Sequence, residues 1–139
     1  LRLQGGVLEK MAEGVNATDA NGNIISCNPA LETMLGYERG ALVRVPAPVL
    51  AEVCRGLRYD PPVEHLLASR GIVVCDLTQT VAKRAGHLLG RAKLSSAHAV
   101  DAFVVATALL FDAAVIATGD PADMRRLASP FKQVRVFAI

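Results

Sequence analysis

The stretch Ala97–Met124, AHAVDAFVVATALLFDAAVIATGDPADM, decides how this chain reads. It is mostly apolar, yet it holds four aspartates: Asp101, Asp112, Asp120 and Asp123. Ala99–Thr118 is apolar enough to suggest a membrane span, but Asp101 and Asp112 interrupt it. A helix over about 97–112 and then a strand over 114–117 fits better. Asp120 follows the strand AVIATG, and ligands of open α/β sheets gather at the carboxyl ends of strands. Pro121 opens the next helix, so Asp123 falls in its first turn, facing the same spot as Asp120. That pair reads equally well as a metal site at a helix N-terminus or as a capping box built from two aspartates. Asp101 stands among apolar residues, where an uncompensated charge is costly. A metal ion is one compensation. A helix cap is another, although Ser95 or Ser96 already fits that position.

Outward from this stretch, strands and helices alternate, which predicts an α/β fold with a mostly parallel sheet. Val43–Val45 is a short strand. Pro46-Ala47-Pro48 starts a helix with Val49, Leu50, Val53 and Leu57 on one side, ending near Gly56. Pro61-Pro62 starts another, to about Ser69. Gly71–Cys75 (GIVVC) reads as a strand of the buried parallel kind. Thr78 or Thr80 caps a long helix to about Lys93, with Val81, Ala85, Leu88 and Leu89 on one face. Pro121–Ala128 is a short helix and Val134–Phe137 a last strand. Before residue 43 the pattern differs. Residues 2–13 read as a helix, Gly14–Thr18 and Asn23–Cys27 as a hairpin about an Asn-Gly turn, and Asn28-Pro29 as the start of a helix to Gly36.

Composition sets bounds on function. The 139 residues are 52% hydrophobic with 4% aromatics and no Trp, enough for a core of Ala, Val, Leu and Ile in one domain, or a domain plus a fragment. A mean hydropathy of +0.34 argues against global disorder. Residues 1–42 carry three Lys/Arg against five Asp/Glu, net −2, and residues 43–139 carry twelve against eight, net +4. A basic surface around an acidic pocket suits a polyanionic substrate, and suits an ordinary solvated surface equally well. Cys27, Cys54 and Cys75 show no CxxC spacing, so we expect reduced, mostly buried thiols rather than zinc or disulfides. With no leader pattern at the N-terminus, a cytoplasmic location is expected. No Ser-His-Asp triad, phosphate loop, dinucleotide fingerprint or DNA-specific motif is present.

Two resemblances overlie this reading. GVNATDANGNIISCNPALETMLGYERGAL, residues 14–42, resembles the opening of a PAS sensor domain, whose usual run is a strand, TDxxGxI, a second strand and NPAxxxxxGY. Nothing after residue 42 continues that fold. VPAPVLAEV, HAVDAFVVATA and VIATGDPADM, in that order, are similar to the PIN-domain family, particularly VapC-type toxins of toxin–antitoxin pairs. This second resemblance covers residues 43–139. It implies clustered acids that hold Mg²⁺ or Mn²⁺ and hydrolyse RNA, and a possible antitoxin partner. Position by position, Glu52, Asp101, Asp120 and Asp123 match the family's acids, and Thr118 its accompanying hydroxyl residue.

The family's first strand, ending in an acid, has no counterpart here. The nearest imitation is IISCNPAL, with Ile24–Cys27 as the strand and Asn28 in the acid's place, supplying a carbonyl oxygen and no charge. We therefore expect a PAS-like fragment over 1–42 to replace the first strand–helix unit of a PIN-like domain over 43–139, as a hybrid with a weakened site. Lys83, Arg84, Arg91, Lys93, Arg125 and Arg126 are candidates for phosphate contacts, although any one of them reads more simply as a solubilising residue. His98, three residues before Asp101, is a candidate supporting group but fits a surface or capping role better. His65 and His87 show no ligand pattern. The competing functions are a non-catalytic hybrid that dimerises through the PAS-like part and, less well supported, a PAS-type sensor.

Overall fold

The computed structural model describes residues 15–18, 42–68 and 72–138. Five strands, β1 (Val15–Thr18), β2 (Leu42–Pro46), β3 (Ile72–Cys75), β4 (Ala114–Thr118) and β5 (Val134–Ala138), form one sheet in the order β3-β2-β1-β4-β5. β2 pairs parallel with β3, and β4 with β5. β1 is antiparallel to both its neighbours, with Asn16 opposite Arg44 on one side and Ile116 on the other. β2 to β5 therefore all point one way, and Pro46 and Thr118 end at the same edge. The mostly parallel sheet expected from the alternation of elements is present. The position between β2 and β4 is held by Val15–Thr18, part of the stretch read as the first arm of a hairpin. A strand running against both neighbours can pair with each through its N–H and C=O groups. The remaining N-terminal expectations, including the helices, the second hairpin arm, Cys27 and Asn28, lie outside the described residues.

The α-helices among the described residues are α1 (Leu50–Val53), α2 (Asp60–Leu67), α3 (Gln79–Ala92), α4 (Ala99–Ala108) and α5 (Pro121–Ala128). Their starts follow from local chemistry. Thr78, not Thr80, caps α3: its hydroxyl accepts the Val81 N–H at 3.2 Å. Ser95, not Ser96, accepts the Ala97 N–H at 3.3 Å and leads through a short 3₁₀ turn, Ser96–His98, into α4. α3 closes at Lys93 in the left-handed region (φ 56°), where the Leu94 N–H donates to the Leu89 carbonyl at 3.0 Å.

Val43, Val45, Val104, Val105, Ile116, Met124 and Leu127 are fully buried, so the core lies between β2, β4, α4 and α5. α4 is buried nearly all round from Ala102 to Ala108, as expected of a helix apolar on every face. Its one buried hydroxyl, Thr107, donates back to the Phe103 carbonyl at 2.8 Å.

Four expectations are corrected. The helix of residues 97–112 stops at Ala108, because the chain must turn to enter β4. The helix after Pro46 is a 3₁₀ turn and then four residues, and Leu57 is 96% exposed rather than packed. Gly56, with φ +107°, breaks the helical run there. β3 is the outer strand, with Val73 and Val74 exposed, so its continuous apolar sequence does not mark a buried strand. Cys54 and Cys75 are free but only half-buried.

Candidate metal centre

Three side chains meet at the edge where β2 and β4 end. His98 Nδ1 lies 3.3 Å from Asp123 Oδ2 and 4.0 Å from Asp101 Oδ2. One ligand atom from each of the three lies within 4.8 Å of the others. Topology brings them together. The chain enters α4 through His98, carries Asp101 in that helix's first turn, returns along β4, and turns into α5 with Asp123 in its first turn. Two helix N-termini thus contribute one carboxylate each. The side chains are 30% (His98), 22% (Asp101) and 34% (Asp123) exposed, so the cluster is open to water and to a substrate.

The donor set fits a divalent cation. Ligands about 2.1 Å from one ion lie about 3 Å apart when adjacent and about 4.2 Å apart when opposite. The two His98 separations, 3.3 and 4.0 Å, fall in that range, and hard carboxylate oxygens are the donors that Mg²⁺ and Mn²⁺ take.

The sequence candidates divide into two groups. Asp101 and Asp123 stand within the cluster. Asp120 and Glu52 stand at the same edge but outside it, and both are exposed. Asp120 occupies the N-cap position of α5 without a side-chain capping bond, so the aspartate capping box does not form. Its backbone N–H donates instead to the hydroxyl of fully buried Thr118 at 3.1 Å. Thr118 thereby fixes the turn from β4 into α5. Asp101 is only partly buried, so the burial cost inferred from its apolar neighbours is reduced. His98, given a lesser part from sequence, is the group that touches both cluster acids. It sits at the N-cap of α4 but makes no capping bond. Its spacing of three from Asp101 was the available signal, whereas the contact with Asp123 depends on the fold.

Arg84, Arg91, Lys93, Arg125 and Arg126 are all exposed, as is Lys83. Arg125 and Arg126 lie on α5, one turn or less beyond Asp123. Arg91 is held over the Phe131 ring, 4.9 Å from its centre. Neither described thiol is primed as a nucleophile. Burial pushes Cys54 above the ordinary thiol pKa, with Asp60 and Glu64 adding to it. Burial also raises Cys75, against an opposing effect of Arg44.

Among the described residues no helix is long and apolar enough to cross a membrane. Comparison with curated proteins and with solved structures finds no match. The family model for the PIN domain matches residues 26–130. The match takes in Glu52, His98, Asp101, Thr118, Asp120 and Asp123. It begins inside the PAS-like stretch and leaves β1 outside. Members of that family are generally nucleases that act on RNA and typically depend on divalent metal ions. By this match, together with the sheet and the acids at its edge, the chain belongs to the PIN-domain family.

Proposed function

We propose that the chain is a metal-dependent endoribonuclease of the VapC-like toxin type, working at the edge where Asp101 and Asp123 meet. The observation that carries this reading is the convergence of two carboxylates from separate helices in a member of a nuclease family. Asp101 and Asp123 are the residues to hold Mg²⁺ or Mn²⁺. Asp120 and Glu52, exposed at the same edge, orient water or complete the site once RNA is bound. A bound divalent ion supplies a more nucleophilic water and offsets negative charge on the phosphate. Thr118 keeps the Asp120 turn in place. Arg84, Arg91, Lys93, Arg125 and Arg126 position phosphates, which makes binding fall with salt. The toxin reading brings with it an antitoxin protein that covers this edge, a homodimer and a cytoplasmic location.

The proposed activity is weakened. β1 delivers its last residue, Thr18, to the edge opposite Thr118, so the end of the middle strand contributes no acid to the cluster. Asn28 stands for the family's first acid, and Asn28→Asp should raise both Mn²⁺ affinity and cleavage. The main test is Mn²⁺-dependent cleavage of a structured RNA by the purified chain, with Asp101→Asn as control. No cleavage, or cleavage that survives Asp101→Asn, removes this reading. A second reading, a non-catalytic hybrid that associates through its PAS-like part, is favoured by one observation: the middle strand lies outside the family match and runs antiparallel. Calorimetric Mn²⁺ titration distinguishes an inactive chain that keeps its metal site from one that has lost it.

A further inference from the structure

We propose that His98 is a metal ligand of this site, and that its imidazole shifts the preference of the centre from Mg²⁺ toward Mn²⁺ and later transition ions such as Ni²⁺. The inference rests on the metal-dependent reading above and deepens it. Three observations carry it. His98 Nδ1 lies 3.3 Å from the Asp123 carboxylate and 4.0 Å from that of Asp101, within reach of both. It holds the N-cap position of α4 without capping, so the helix start does not account for its orientation. Among the described residues it is also the third member of the cluster beside the two carboxylates. Glu52 and Asp120 lie outside the cluster, and β1 carries its C-terminal end to the far edge.

The consequence is one of ion choice. A site of carboxylates alone suits Mg²⁺ and Mn²⁺, which take oxygen ligands. Imidazole nitrogen suits Ni²⁺, Cu²⁺ and Zn²⁺ far better than Mg²⁺, and divalent affinity at a nitrogen-containing site rises from Mn²⁺ toward Cu²⁺. A neutral ligand in place of an acid also lowers the total negative charge, which weakens Mg²⁺ most. The competing account is that His98 is simply an ion-pair or hydrogen-bond partner of Asp123, with no metal.

The test is calorimetric titration of the full chain, and of His98→Gln, with Mg²⁺, Mn²⁺ and Ni²⁺ separately. Electron spin-echo spectroscopy of the Mn²⁺-loaded samples reads directly whether nitrogen is bound. The expected result is tighter binding of Ni²⁺ than of Mg²⁺ by the wild type, and a ¹⁴N modulation that disappears in His98→Gln. Ni²⁺ affinity should fall about 10–100-fold in that variant, with Mg²⁺ affinity held to within about twofold. Circular dichroism of His98→Gln confirms that the fold is kept. Metal binding without ¹⁴N modulation, or an unchanged Ni²⁺-to-Mg²⁺ ratio in His98→Gln, overturns the role of His98 and leaves the carboxylate site standing. No binding of any of the three ions by the wild type overturns the metal-dependent reading as well.

Discussion

The two parallel strand pairs of this sheet begin from similar sequence and end in different roles. β4 (AVIAT) is buried at all five positions, and α4 and α5 at its two ends bring Asp101, His98 and Asp123 together. β3 (IVVC) is as apolar but forms the outer edge with two exposed valines, and its partner β2 leads only into a four-residue helix carrying exposed Glu52. Hydropathy alone does not separate the two. A strand with neighbours on both sides and helices packed against it fixes the residues at its ends. The rim strand β3, with a neighbour on one side only, leaves two of its valines exposed.

Several measurements would break or sharpen that contrast. Asp101→Asn and Asp123→Asn should each lower Mn²⁺-dependent RNA cleavage about 100-fold or more, and Glu52→Gln less than about tenfold. Equal losses in single-turnover assays would mean that Glu52 closes onto the cluster when RNA binds. In urea unfolding, Ile116→Ala in β4 should cost about 2–5 kcal/mol, while Val73→Ala in β3 should stay within about 0.5 kcal/mol. A large loss at Val73 would show that the rim strand is covered.

A smaller pair of substitutions uses Gly56 and Lys93, the two positive-φ residues among those described. Gly56→Ala, between α1 and α2, should destabilise by about 1–2 kcal/mol through backbone strain. Lys93→Gly, at the end of α3, should stabilise by up to about 1 kcal/mol. If Lys93 also contacts RNA phosphate, the same variant should show a salt dependence of binding shallower by about one ion. The smallest effect concerns Cys75. Because burial raises its pKa, alkylation at pH 8, followed by peptide mapping, should be slower than for an exposed thiol.

Much of this architecture was readable from residue types. A cap at Thr78 or Thr80 and at Ser95 or Ser96, Pro121 at the start of α5 and the apolar runs of β4 and β5 are local signals, and the structure uses them, choosing Thr78 and Ser95. Asp101 and Asp123 could be named because an acid at each helix start is also a local feature. What the residues could not show was pairing. Nothing in Ile72–Cys75 distinguishes a rim strand from an inner one, because that depends on which strand comes to lie beside it. Nothing in Val15–Thr18 announces an antiparallel strand at the centre of the sheet. The place of His98 beside both acids depends on the fold in the same way. Its spacing to Asp101 is sequential, but its shorter contact, to Asp123, crosses 25 residues and exists only once β4 has brought α5 back to α4.

The meeting of two helix N-termini has a practical consequence for handling the protein. Each carboxylate already faces the positive end of its own helix, and the packing around Ile116, Met124 and Leu127 involves no ligand group. Folding and ion loading are therefore separable here, unlike in small domains that unfold when their metal is removed. A preparation stripped with chelator should stay folded and melt below a loaded one only by what ion binding adds to the native state, so the centre can be filled with one chosen ion at a time.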